Sequence, residues 1–246
     1  MKRLLVLVFG VISYLVFLGT FVYAIGFLGN VLVPKTIDSP ADVPWRTAFV
    51  VNLVLLTVFA LPHSVMARPG FKRWWTRFVP QPAERSTYVL FSSLALMLMF
   101  WQWQPMGHII WAIESPLVRA AVYILYGLGW ILVLLTTCLI NHFDLFGLRQ
   151  AWVYFTGRAL QPIPFMEPGP YKLVRHPLYV GWLIVFWSAP TMTVARLMFA
   201  LATTTYILVA IQFEERDLVR FHREYSDYKR RVPMLIPFRF RSNSKD

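Results

Sequence analysis

Arg175-His176-Pro177 and Glu214-Glu215 are the residues of this chain whose types and spacing could do chemistry together. Proline pushes the residue before it out of the helical region and is itself suited to the first helical position. His176 should therefore stand extended at the mouth of a helix that begins at Pro177. The backbone N–H groups of Leu178 and Tyr179 are then left without helical partners. A helix start of this kind favours a carboxylate or a phosphate. Arg175 adds a fixed cationic fork beside it, and Gly181, one turn in, lets another group come close. Glu214 and Glu215 close a long apolar run, where adjacent acids are costly unless solvated or engaged. They offer acceptors for hydroxyls or an amine. Donors on one side and acceptors on the other match a zwitterionic nucleoside such as S-adenosylmethionine, with its amino-acid end, ribose hydroxyls and sulfonium charge. On spacing alone, ordinary interfacial side chains and a solvated helix end account for the same residues equally well.

The two motifs meet only if the chain returns to one face of a membrane. Of its 246 residues, 57% are hydrophobic and 15% charged, against about 25% charged in a soluble domain. The chain therefore reads as an all-α integral membrane protein, one membrane-embedded domain over 1–246. Apolar segments long enough to cross a bilayer fall at 4–33, 47–66, 86–104 and 117–140. A last block at 178–213 is too long for one untilted helix and fits two helices turning near Pro190-Thr191. The first segment is far longer than the core of a signal peptide and lacks a small-residue cleavage site, so it reads as a retained span.

Charge placement sets the orientation. Lys2 and Arg3 precede the first span, and Arg68, Lys72, Arg73, Arg77 and Arg85 fill the second loop. Arg149, Arg158, Lys172 and Arg175 lie in the fourth, while the first and third loops are nearly neutral. The alternation predicts cytoplasmic termini, in a bacterial inner membrane, with the last block as a hairpin and about six spans in all. A five-span arrangement would put the basic tail outside. The net charge of +12 belongs to this bias; a nucleic-acid partner is not expected. The long fourth loop is broken by Pro162, Pro164, Pro168, Gly169 and Pro170. After Glu214, apolar Leu218, Phe221, Tyr225 and Tyr228 recur at helical spacing among basic residues, predicting an amphipathic helix at the interface that Pro233 and Pro237 end. Trp45, Trp74, Trp75, Trp101, Trp103 and Trp111 read as an interfacial belt, and Trp182 and Trp187 as possible walls of an apolar pocket. The single cysteine, Cys138, forms no internal disulfide and is expected buried and inert.

Gly169-Pro170-Tyr171, then Arg175 to Gly181, then Glu214-Glu215 resembles the isoprenylcysteine carboxyl methyltransferase and phospholipid methyltransferase group. The resemblance covers the last third of the chain. It implies that Tyr171, Arg175, His176, Leu178, Tyr179, Gly181, Glu214 and Glu215, within 142–237, surround S-adenosylmethionine. The segments at 23–27, 34–39, 61–69 and 141–150 extend it nearly end to end, where the chain is similar to the bacterial methanethiol S-methyltransferases of the NnrU-like branch. That resemblance implies methyl transfer to methanethiol, a small-molecule thiol, giving dimethyl sulfide.

Such chemistry needs a proton acceptor, because a thiolate attacks far better than a thiol and a small alkyl thiol is mostly protonated at neutral pH. His63 and His142 both fall near cytoplasmic span ends, where ionisable residues are functional candidates; a lone histidine is more often structural. Asn141 and Asp144, three apart, can share a helix face near His142. His142 is expected to be the base, oriented by Asp144, with His63 as the second candidate. Gly127-Leu128-Gly129 follows no strand and is no dinucleotide fingerprint, and no Cys/His spacing suggests a metal. The competing readings are a methyltransferase for a lipid or prenyl-cysteine carboxylate, a haem-binding membrane protein using His63, His108 and His142, and a structural subunit without a ligand.

Overall fold

The computed structural model describes residues 1–221 and 223–237. Among the described residues, four helices are long and apolar enough to cross a membrane: α1 (Lys2–Gly29), α2 (Trp45–Ala67), α5 (Pro116–Ile140) and α9 (Val194–Phe221). Between α2 and α5 lie a short surface helix, α3 (Pro69–Trp75), and α4 (Gln81–Gln102). Helix α4 matches the spans in length but begins with Gln81, Glu84 and Arg85. Two short helices, α6 (His142–Leu145) and α7 (Leu148–Phe155), follow α5. A 3-10 turn at Gly169–Lys172 leads into α8 (Pro177–Trp187), and α10 (Arg223–Arg231) lies beyond α9.

Prolines punctuate these elements as their chemistry dictates. Pro116 and Pro177 occupy the first turns of α5 and α8, where a missing N–H costs nothing. Helix α1 stops at Asn30, whose left-handed backbone (φ 56°) is the conformation that asparagine tolerates best after glycine.

The final apolar block does double back at Pro190-Thr191, but unequally. Helix α8 has 11 residues and α9 has 28, lengths of about 16 and 42 Å at 1.5 Å per residue. The remainder of the first arm is extended: Thr191–Thr193 forms β2, paired antiparallel with β1 (Ile109–Ala112) from the loop between α4 and α5. No strand is expected from the sequence there. Both segments lie at the same end of the bundle, and their unpaired backbone groups satisfy one another. At that end Asp38 accepts hydrogen bonds from Arg196 Nε (3.0 Å), Asn30 Nδ2 (2.6 Å) and Thr193 Oγ1 (2.5 Å), while Arg196 Nη2 donates to Leu28 O (2.7 Å). This buried latch ties the first loop to the start of α9.

The tightest seam joins α5 and α8. A Cβ on Gly181 would lie 2.8 Å from Val133 Cγ2 and 3.0 Å from Gly129 O; one on Gly129 would lie 3.1 Å from Gly181 O. Around the seam the core gathers Phe21, Phe27, Phe100, Trp103, Trp130, Val133, Val185 and Phe199. Trp103, read from sequence as a belt residue, is fully buried there and donates its indole N–H to Ile37 O at 3.2 Å. Cys138 differs from expectation in the opposite sense. It is exposed, on the outer side of α5, because Thr136 and Thr137 take the inward positions.

Candidate active site

At one end of the bundle, α8 begins beside the last turns of α9. His176 caps α8 outside the helical region (φ −125°, ψ 60°), short of the fully extended backbone expected. The N–H groups of Leu178 and Tyr179 carry no hydrogen bond among the described residues, as the His176-Pro177 pair requires. Tyr179 Oη donates to Glu214 Oε2 at 2.9 Å. His176 Nε2 donates to Glu215 Oε1 at 3.0 Å, and Arg175 Nε donates to the same oxygen at 2.7 Å. The structure therefore brings together the two motifs that the sequence singles out.

It also divides the glutamates. Glu215 is 3% exposed and fully engaged: Lys229 Nζ takes Oε2 at 2.8 Å, and Tyr225 Oη reaches Oε1 at 3.4 Å. A carboxylate so enclosed offers almost no surface to a ligand. Glu214 has a side chain 41% exposed, and its Oε1 has no partner among the described residues. The chain beyond α10 folds back over the same place. Pro233 O and Met234 O accept the backbone N–H groups of Arg175 (2.8 Å) and His176 (3.2 Å), and Val232 O accepts Arg175 Nη1 at 2.6 Å. Tyr228 Oη donates to Tyr171 O at 2.6 Å. Burial raises the pKa of the hydroxyls of Tyr171, Tyr225 and Tyr228, the last to about 12, and nearby carboxylates add to each shift. All three are neutral donors at physiological pH.

Three expectations are corrected. Gly181 does approach another group closely, but that group is the backbone of α5, which leaves no room there for a ligand. Trp182 fills the core against Phe21, Trp130 and Phe186, and Trp187 donates to Thr204 Oγ1 at 3.0 Å on the exterior. Asp144 does not hold His142. Its carboxylate takes Arg149 Nη1 at 2.7 Å, and its N–H is capped by Asn141 Oδ1 at 3.1 Å. The left-handed Asn141 (φ 154°) breaks the helix between α5 and α6, so the three-residue spacing makes a cap rather than a shared face.

The partners of His142 are Thr137 Oγ1 at Nδ1 and Tyr14 Oη at Nε2, both at 2.9 Å. His63 is held in the same way, by Ser92 Oγ at Nδ1 (2.9 Å) and Tyr88 Oη at Nε2 (2.8 Å, and 3.2 Å from Nδ1). In each case the Ser or Thr hydroxyl gives its own proton back to its helix, Ser92 to Tyr88 O and Thr137 to Leu134 O. It can only accept from the imidazole. With the hydroxyl proton so placed, each ring carries its own proton on Nδ1 and presents its lone pair at Nε2 to a tyrosine.

No protein-family model and no solved structure matches the chain. Curated proteins do. A methanethiol S-methyltransferase of Crocosphaera subtropica is 57% identical over 97% of this chain and 94% of its own length. One of Mycobacterium tuberculosis is 53% identical over 97% and 98%. The chain belongs to the methanethiol S-methyltransferase family. Nurim of Rattus norvegicus, 30% identical over 75% of this chain and 72% of its own length, is a more distant relative.

Within this member of the family, sequence reasoning misses the tyrosines. Tyr14 and Tyr88 reach His142 and His63 through their hydroxyls, yet a tyrosine in an apolar run reads as an ordinary span residue; Tyr225, which reaches Glu215, reads as part of an amphipathic face. The available signal is Tyr88-x-x-x-Ser92, one turn apart in α4, which lets two polar groups face a single neighbour. The return of the 229–234 segment onto Arg175 has no local signature at all.

Proposed function

We propose that the chain transfers the methyl group of S-adenosylmethionine to methanethiol, releasing dimethyl sulfide and S-adenosylhomocysteine. It does so at the cytoplasmic face of the bacterial inner membrane. The observation that carries this reading is similarity over nearly the whole chain to proteins named for that reaction. The topology proposed with it is six crossings: α1, α2, α4, α5, the α8–β2 arm and α9. The amino-terminal end of α1 packs against Ala83 and Ala151, and Arg68 at the end of α2 pairs with Asp217 at 2.9 Å near the end of α9. These contacts support a topology in which the start of α1 and the end of α9 lie on one side, the basic one, with α10 along the lipid surface.

The residues present fit the methyl donor. The open N–H groups of Leu178 and Tyr179 suit its carboxylate, and Arg175 Nη2 bonds nothing among the described residues. The free oxygen of Glu214 suits its hydroxyls or amine. When bound, S-adenosylmethionine supplies an electrophilic methyl on a cationic sulfur. Tyr179 holds Glu214 in place, and Glu215 locks Arg175 and His176 so that the helix start stays fixed. Tyr171 lies close enough to feel the Glu214 charge. Pre-organisation of this kind lowers the cost of ordering a ligand. A haem site is disfavoured, because both nitrogens of His63 and of His142 are already hydrogen-bonded.

Purified protein given methanethiol and S-adenosylmethionine should release dimethyl sulfide into the headspace. Absence of dimethyl sulfide, with methylated lipid formed instead, would transfer the assignment to a long-chain acceptor.

A further inference from the structure

We propose that Tyr88 and His63 form the relay that removes the thiol proton, with Tyr88 Oη receiving it and passing its own proton to His63 Nε2. The proposal deepens the methyl-transfer reading and rests on it. Two histidines share one hydrogen-bonding design, so the surroundings decide between them. The hydrogen bonds and ring contacts of His142 run to Tyr14, Thr137, Phe143 and Phe146, none of them in α8 or α9. Those of His63 lead into the site. Its neighbour Ser64 donates to Tyr206 Oη at 3.1 Å. The His63 ring itself meets the Tyr206 ring edge-on, with centroids 6.4 Å apart, and Tyr206 lies in α9, the helix that carries Glu214. Phe59 stacks on the imidazole with ring centroids 5.0 Å apart, shielding one face from lipid.

The charges around the pair act in both directions: Arg85 favours a proton leaving Tyr88 but opposes positive charge on His63, and Glu214 opposes negative charge on Tyr88. Arg85 of α4 sits 5.2 Å from the Tyr88 ring centroid. Arg68, just past α2, acts on Tyr88 in the same sense as Arg85 and Glu214 of α9 in the opposite one, and Asp217 of α9 is held by Arg68. The Arg85 guanidinium favours negative charge developing on the Tyr88 oxygen.

In the step itself, the thiol S–H bond breaks as an O–H bond forms at Tyr88. The former Tyr88 hydrogen becomes N–H at His63 Nε2. A sulfur lone pair then forms the new S–CH3 bond as the sulfonium–methyl bond of the methyl donor breaks, its electron pair remaining on that sulfur. The positive charge lost there reappears on the imidazolium. Both N–H groups of that ring already face acceptors, Ser92 Oγ and Tyr88 Oη, and the ring resets by releasing one proton to the cytoplasm.

The test uses the full chain in lipid nanodiscs, with methanethiol turnover measured from pH 6 to 10. Tyr88→Phe and His63→Gln should each lower kcat about 100-fold at neutral pH, within the range for general base catalysis. KM for S-adenosylmethionine and the melting temperature should stay near wild type. The deficit should shrink as pH rises and solution supplies thiolate. It should nearly vanish for an aromatic thiol that is ionised at neutral pH. Equal losses for both thiols at every pH would reduce the pair to a structural role and overturn the relay. So would unchanged turnover, or the same pH pattern appearing in Tyr14→Phe and His142→Gln instead. Wild-type protein that makes no dimethyl sulfide would overturn the methyl-transfer reading and the relay together. Active wild type with an indifferent Tyr88 removes the relay alone.

Discussion

Two adjacent glutamates with identical chemistry take different duties because of where their helix turns them. Glu215 points inward to Arg175, His176, Tyr225 and Lys229. Breaking a buried ion pair by neutralising one partner costs about 3–5 kcal/mol, so Glu215→Gln should unfold at a clearly lower temperature in a detergent melting assay. Glu214→Gln should keep its melting temperature and instead raise KM for S-adenosylmethionine by about tenfold, the loss of roughly one charge-assisted hydrogen bond. The pairing of these motifs was legible in the chain from their types and positions. Their division of labour was not, since it depends on Lys229 and Tyr225, which reach Glu215 only after the tail folds back. His142 carries a pH signature of its own. Burial lowers its pKa, so the folded ring stays neutral where the unfolded one takes up a proton. Above the unfolded value of about 6.5 there is no penalty; below it, stability falls with pH until the folded pKa is passed. The melting temperature should decline on acidification below that value, and His142→Gln should flatten the decline.

The elements depend on one close crossing. Helices α5 and α8 approach so nearly that Gly129 and Gly181 cannot carry a side chain without moving backbone. Overpacking of this kind costs about 1–3 kcal/mol. Gly181→Ala should therefore lower the melting temperature and, by shifting the start of α8, weaken binding of S-adenosylmethionine in titration calorimetry. Helices α1, α2 and α5 were readable from apolar run length because the bilayer sets that length. The short α8 was not, because run length cannot tell a helix from a helix followed by a strand. Only the partner segment 109–112, some eighty residues earlier, makes β2 a strand.

At the scale of the whole molecule, two fastenings sit at opposite ends of the bundle. Far from the candidate site, Asp38 and Arg196 join the first loop to α9 in a nearly buried pair. Asp38→Asn should destabilise the protein by the amount typical of a broken buried pair, about 3–5 kcal/mol, while surviving folded molecules keep a normal KM. At the near end, a chain stopped after Tyr228 should insert normally and show no binding of S-adenosylmethionine. It lacks Lys229, Val232, Pro233 and Met234, which hold Arg175 and His176. That closure also dictates timing during synthesis. A ribosome that has made every span has not yet made the segment that closes the candidate site. If binding requires that closure, the nascent protein should enter the bilayer inert and become competent only once translation has passed residue 234 and that stretch has cleared the exit tunnel.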